Sequence, residues 1–183
     1  MHGDGTMVLA TGCRYTGAWV KGKMEGPGEM VFPTGGSHAQ TCNVASSVLM
    51  IDSVATLHAG DVYNGEWKAG KKDGKGTYKS ANGSMYVGEF ENGKRHGTGT
   101  QRSAVAPPCS FKTTIIPYRV AEAEVYSGEW KFSKRCGKGT IHVKEQLVYE
   151  GEFMNDKRDG QGTGYLKNGE LLDAFGPCAA FLV

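Results

Sequence analysis

Cations recur in adjacent pairs at fixed places: Lys71-Lys72, Lys94-Arg95, Lys134-Arg135 and Lys157-Arg158, with Lys21 and Lys23 as a looser version near the start. The chemistry open to such a row is recognition of anions, either lipid head groups or an acidic protein, and near an anionic membrane each cation contributes on the order of 1 kcal/mol. Lysines in turns also keep sheet edges from aggregating, and Glu66, Glu89, Glu129 and Glu152 weaken the net field. No catalytic pattern accompanies the row. Gly17-Ala18-Trp19-Val20-Lys21-Gly22-Lys23 has the outline of a phosphate loop, but Met24 stands where a Ser or Thr must reach magnesium. His2, His38, His58, His96 and His142 lack metal-ligand spacing, and no serine sits in a nucleophile elbow. The expectation is no catalytic residue, no metal site and no cofactor. Cys13, Cys42, Cys109, Cys136 and Cys178 include no CxxC pair and are odd in number, so neither a zinc site nor a disulfide framework is expected, and a reducing cytosol is the default setting.

The cation pairs ride on a repeat. Tyr63-Asn64-Gly65-Glu66-Trp67 leads to Gly70, Gly74 and Gly76, and 23 residues later Tyr86-Val87-Gly88-Glu89-Phe90 leads to Gly93, Gly97 and Gly99. The same spacing separates Tyr126-Ser127-Gly128-Glu129-Trp130 from Tyr149-Glu150-Gly151-Glu152-Phe153, and Tyr15-Thr16-Gly17-Ala18-Trp19 opens a further unit. The longer intervals become regular once two insertions at one place in the unit are set aside. The chain then divides into a partial repeat at 1–14, repeats at 15–35, 63–85, 86–103, 126–148 and 149–171, insertions at 36–62 and 104–125, and a degraded repeat or tail from Leu172 over 172–183. Ala18 departs from the glutamate of the other units, and Ser133 and Asp156 stand where glycine is usual.

These units must position the cations. A strand puts alternate residues on one face, so Tyr63, Gly65 and Trp67 share a side and Glu66 takes the other. Gly74-Lys75-Gly76-Thr77-Tyr78 reads as a return strand whose glycines leave room for neighbouring rings, and the intervening Lys68–Asp73 stretch reads as a turn. Each unit is then a β-hairpin, and stacked hairpins make an all-β, elongated, single-layer antiparallel sheet, with about 10 Å per unit. The cation pairs would line one edge as a basic stripe, with the insertions leaving by the opposite edge. The row Tyr15, Trp19, Tyr63, Trp67, Tyr86, Phe90, Tyr126, Trp130, Tyr149 and Phe153 is read first as core. It is also a candidate face for a protein partner, since one layer is expected to leave rings partly open.

Composition agrees. Of 183 residues 28 are Gly, about double the usual share, yet aromatics reach 10%, which argues for a folded chain rather than a disordered one. Six Pro are too few for collagen, and a formal charge of +2 gives no global drive toward nucleic acid. The longest apolar run, Cys178 to Val183, is far too short for a membrane helix.

The pattern Y-x-G-x-[WF]-x-x-G-x-x-x-G-x-G resembles the MORN (membrane occupation and recognition nexus) repeat family across most of the chain outside the insertions and tail. The resemblance implies an elongated β array and cytoskeletal, ciliary or membrane-linked settings. The function expected is a non-catalytic cytoplasmic scaffold or adaptor with a protein partner, an anionic phospholipid as second ligand, and no nucleic acid. A second reading follows from the resemblance, because some phosphoinositide kinases and lysine methyltransferases carry such arrays beside a catalytic domain; the chain would then be a targeting segment of a larger enzyme. Its opening inside a unit and its apolar end, Phe175 to Val183, suggest truncation or pairing of an edge strand into a homodimer.

Overall fold

The computed structural model describes residues 1–9, 12–32, 60–104, 123–144, 146–165 and 171–175. Most of both insertions and the apolar end at 176–183 lie outside the described residues. The strands are β1 (Gly3–Val8), β2 (Arg14–Val20), β3 (Lys23–Val31), β4 (Val62–Lys68), β5 (Lys71–Lys79), β6 (Met85–Glu91), β7 (Lys94–Arg102), β8 (Glu124–Lys131), β9 (Lys134–Val143), β10 (Gln146–Met154), β11 (Lys157–Tyr165) and β12 (Leu171–Phe175). They form one antiparallel sheet whose order is the order of the chain, and no helix occurs among the described residues. The expected single-layer array of hairpins is the observed fold.

A row of glycines crosses the sheet, with Gly65 opposite Gly76, Gly76 opposite Gly88 and Gly88 opposite Gly99 as its centre. On one face each tyrosine ring lies flat over the two glycines of its own hairpin. A Cβ built on Gly76 would stand 2.6 Å from Tyr63 Cε2, and one on Gly65 would stand 2.5 Å from the Gly76 Cα. The Tyr63 hydroxyl donates to the Glu66 carbonyl at 3.0 Å, and the other four tyrosines donate likewise three residues ahead. Trp67 reaches back to donate its Nε1–H to the Gly28 carbonyl of the preceding unit.

The rings meet edge to face. Tyr63 touches Trp67 within its unit and Phe90 of the next, both at 5.1 Å between centroids. Pairs of this geometry add about 0.5–1.5 kcal/mol each beyond burial. The ladder crosses both insertions unbroken, through Tyr15–Trp67 at 5.5 Å and Tyr86–Trp130 at 5.3 Å. Backbone pairing closes the insertion mouths as well, with Phe32 N–H on the Asp61 carbonyl and Ser103 N–H on the Glu124 carbonyl. The residues flanking both insertions therefore pair as ordinary inter-unit connections do, on the edge opposite the hairpin turns.

On the other face the recurring glutamate closes a bulge. Between the pairs Gly65–Gly76 and Trp67–Lys72, β5 carries two residues more than β4, and Glu66 faces Asp73, Gly74 and Lys75. Its carboxylate accepts the Lys75 N–H and fills the space above Gly74, whose φ of 89° already favours glycine. Glu129 accepts the Lys138 N–H and Glu152 the Gln161 N–H in the same way, both at 2.9 Å. The first unit explains itself here. Pro27 occupies the donor position and has no N–H to give, and Ala18 occupies the acceptor position. Glu129→Ala is expected to cost about 1 kcal/mol or less, the net worth of an exposed hydrogen bond to a charged group. Ala18→Glu is expected to gain nothing, and urea midpoints of the two variants check both.

Ser133 and Asp156 also find a use. Both are left-handed, with φ of 67° and 70°, and each side-chain oxygen accepts the backbone N–H of the cation one unit back, Arg95 for Ser133 and Arg135 for Asp156. At the far end the register departs from the expectation that Leu172 begins the degraded unit. Asp173 pairs with Gly164 and Phe175 with Gly162, the slots that a tyrosine and a glycine fill in inner units, because Leu172 is the extra residue of a bulge.

Candidate functional site: the hairpin-turn margin

Each turn consists of two left-handed residues, as in Ala69-Gly70 and Asn92-Gly93, so it pairs Lys68 with Lys71 and Trp67 with Lys72. Such two-residue turns match the twist of the flanking strands. Consecutive strand residues face opposite sides, so the cation pairs split between the two faces. Lys72, Arg95, Arg135 and Arg158 lie on the ring face and act as lids on the ladder. Lys71, Lys94, Lys134 and Lys157 lie on the other face, at the margin beside the turns.

The lids are structural. Lys72, only 6% exposed, holds its Nζ 4.4 Å from the Tyr78 ring centroid and 5.0 Å from Tyr63. Burial pushes its pKa down to about 8 against a smaller opposing pull from Asp61. Asp61 is itself buried and accepts the Tyr78 hydroxyl at 2.5 Å and the Ala81 N–H at 2.9 Å. Arg95 stacks 4.4 Å over Trp130 and donates to Gln101 and to the Ser133 carbonyl, and burial lowers its pKa. Arg135 covers Tyr126 and Phe153 and pairs with Glu124 at 2.9 Å. Arg158 covers Tyr149. In the first unit Met24 fills the lid position and is fully buried.

Because of these lids the ring row does not present an open strip. Tyr15, Trp19, Tyr63, Trp67, Tyr86, Phe90, Tyr126, Trp130, Tyr149 and Phe153 are all buried. The expectation that one layer leaves its rings partly exposed fails because edge-to-face contacts close the spaces between rings and the lid residues cover them from above.

The margin on the opposite face carries one lysine per unit at equivalent positions, Lys23, Lys71, Lys94, Lys134 and Lys157, about 10 Å apart along the sheet. Cross-strand partners add Lys68 and Lys131, which the sequence reading passed over by treating the whole Lys68–Asp73 stretch as turn. Counting a two-residue turn at Ala69-Gly70 would have found them. Among the described residues, three apolar side chains are exposed along the same margin: Val20, Met154 at 57% and Phe132 at 59%.

Phe132 is the outlier. It has a φ of 51° and is followed by the left-handed Ser133, so this turn contains no glycine. A bulky residue in that conformation costs roughly 1–2 kcal/mol. Its ring lies 5.6 Å from Lys94 Nζ and 5.8 Å from the His96 ring. Charge along the margin is uneven as well. In the first two units Glu25 and Asp73 accept the first N–H of the next turn, from Ala69 and Asn92. The equivalent positions in the next two units are His96 and Cys136, so two carboxylates disappear beside Phe132. Glu91 remains, 3.2 Å from His96 Nδ1.

Among the described residues the same face has open troughs floored by glycines. One, of about 430 Å³, is walled by Lys75, Thr77, Val87, Glu89 and Thr98; another, of about 530 Å³, by Lys138, Thr140, Glu150, Glu152 and Gln161. Among the described residues no cluster of His, Cys, Asp and Glu is arranged to hold a metal ion. Cys13 is buried and disulfide-bonded, although the sequence indicated no disulfide framework, whereas Cys136 is a free thiol. An odd count rules out complete pairing but not a bridge at Cys13.

A family model described as MORN repeat matches residues 15–37, 63–85, 86–104, 126–142 and 149–170, more than half of the chain. This protein belongs to the MORN repeat family, which is generally non-catalytic. The matched segments coincide with the five ring-bearing hairpins. No match to a curated protein is found.

Proposed function

We propose that the chain is a non-catalytic scaffold that docks its hairpin-turn margin on an anionic surface and holds a protein partner on the array. The observation that carries this reading is the division of labour within each cation pair. One member is consumed in covering the ring ladder, while the other stands free of that task at the same place in every unit. Regular spacing on a stiff sheet lets several lysines meet one surface together, so weak single contacts add. The cytoplasmic leaflet is the natural anionic surface, and the scaffold is accordingly assigned to the cytoplasm beside a membrane. With the rings covered, a protein partner meets the polar troughs rather than the ring row.

The test must spare the lids. Reversal of Lys72 or Arg95 would unseat rings and confuse unfolding with lost binding, whereas Lys94→Glu with Lys134→Glu leaves the ladder intact. This double variant is expected to keep the wild-type melting temperature and to lose binding to phosphatidylserine-containing vesicles by about a hundredfold, given roughly 1 kcal/mol per margin cation and added repulsion. Undiminished sedimentation with vesicles would reject the electrostatic reading.

A further inference from the structure

The margin's uneven chemistry singles out one turn. Phe132 is the single exposed aromatic of the hairpin turns among the described residues, and it holds a backbone conformation that its side chain disfavours. The first position is left-handed in the other turns as well, at Lys21, Ala69, Asn92 and Asn155, but none of those residues is aromatic; the second position is Gly22, Gly70 or Gly93 in three of them and Asp156 in the last. Local strain of this sort is retained where the side chain has a task, and an observed outlier is the proper starting point for assigning one. The ring does not stabilise the ladder, since its contacts are with Lys94 and His96 at the margin and not with the buried rings.

Two neighbouring features agree on the task. Lys94, Lys131 and Lys134 surround the turn, at the place where the carboxylates of the preceding units give way to His96 and Cys136. At the next turn Met154 adds a second exposed apolar side chain, paired across the strands with Lys157. A soluble polyanion or an acidic peptide would use the lysines and have no use for the apolar tips. A bilayer uses both, because cations meet the anionic head groups while an aromatic enters the boundary beneath them.

We infer that Phe132 is a membrane anchor that inserts into the interface of an anionic bilayer, assisted by Met154, with the surrounding lysines held at head-group level. This rests on the electrostatic docking proposed above and adds hydrocarbon contact to it. The contact makes a lipid surface, rather than a soluble polyanion, the ligand of this margin.

The test compares Phe132→Asn with wild type on vesicles of phosphatidylcholine containing about 30% phosphatidylserine. Asn tolerates the left-handed conformation, so the variant is expected to melt at or above the wild-type temperature. Partition onto the vesicles is expected to fall about tenfold, as for withdrawing one phenyl ring from an apolar environment. Retention on heparin, which offers charge without hydrocarbon, should stay unchanged. In Phe132→Trp, fluorescence added over the wild-type spectrum should be quenched by lipids brominated near the head group. Wild-type-like vesicle binding by Phe132→Asn, while Lys94→Glu/Lys134→Glu loses it, would remove the anchor and leave the docking proposal standing. Equal losses on vesicles and heparin would also overturn the anchor, and indifference of the lysine variant would overturn both.

Discussion

Gly76→Ala is expected to unfold the centre of the array, whereas Gly5→Ala, at the matching position of the first strand, is expected to be tolerated. At Gly76 the new methyl would collide with the Tyr63 ring, whose Cε2 stands 2.6 Å away and whose hydroxyl is nearer still. The ring cannot yield cheaply. It is pinned by its hydrogen bond to the Glu66 carbonyl, by Trp67 and Phe90 at 5.1 Å, and by the Lys72 lid. Displacing it breaks two ladder contacts and a buried hydrogen bond, so a loss of about 3 kcal/mol or more is expected, in the range of severe overpacking. At Gly5 a Cβ would meet only Trp19, at an ordinary 3.8 Å, and alanine there removes some backbone entropy from the unfolded chain. Stability then changes by less than about 1 kcal/mol. Chemical denaturation of the two variants separates a ring-over-glycine lattice from a mere preference for small residues in strands, which would treat both positions alike.

The second large effect is alkaline unfolding. Burial pushes Tyr15, Tyr86 and Tyr126 up to about 12, and raises Tyr63, Tyr78 and Tyr149 as well. A phenol whose folded pKa lies above its unfolded value of 10.0 contributes stability that is fully present below pH 10 and is lost as pH rises toward the folded value. Six such groups, five in the ladder and Tyr78 packed against it, make the transition cooperative, with several protons released per molecule as it melts. Lys72 has the opposite sign. Its pKa falls from 10.5 to about 8, so the fold carries the full cost of the buried charge below pH 8 and is relieved of it as pH rises toward 10.5. Cys136, whose thiol is raised by partial burial, works weakly against that gain.

Wild-type protein is therefore expected to gain stability from pH 8 to about pH 10 and then to unfold steeply, with tyrosinate absorbance and loss of β-sheet circular dichroism rising together. Lys72→Met should remove the gain below pH 10 and keep the steep loss above it, because Met24 already fills the equivalent lid position fully buried. Tyrosines that titrate individually, well before the sheet is lost, would mean that the rings are accessible and the ladder open.

Much of this architecture follows from counting along the chain. Tyr63, Gly65 and Trp67 alternate, Gly74 and Gly76 return at the spacing of a second strand, and the unit recurs at 23 residues, so the hairpins, their stacking order and the ring ladder were all legible. Strand periodicity and a glycine's missing side chain are local facts that travel with the sequence. The fate of each cation pair was half legible. A two-residue turn at Ala69-Gly70 assigns Lys71 and Lys72 to opposite faces, but nothing local says that Lys72 is buried, since its lid role depends on Tyr63 and Tyr78 lying beneath it. The covering of the rings, the left-handed Phe132 held beside Lys94 and His96, the bridge of Cys13 and the bulge that carries Leu172 out of register belong to the same class. These depend on groups that the folded sheet brings together, and burial, charge environment and register at a bulge are properties of that assembly rather than of any one stretch of chain.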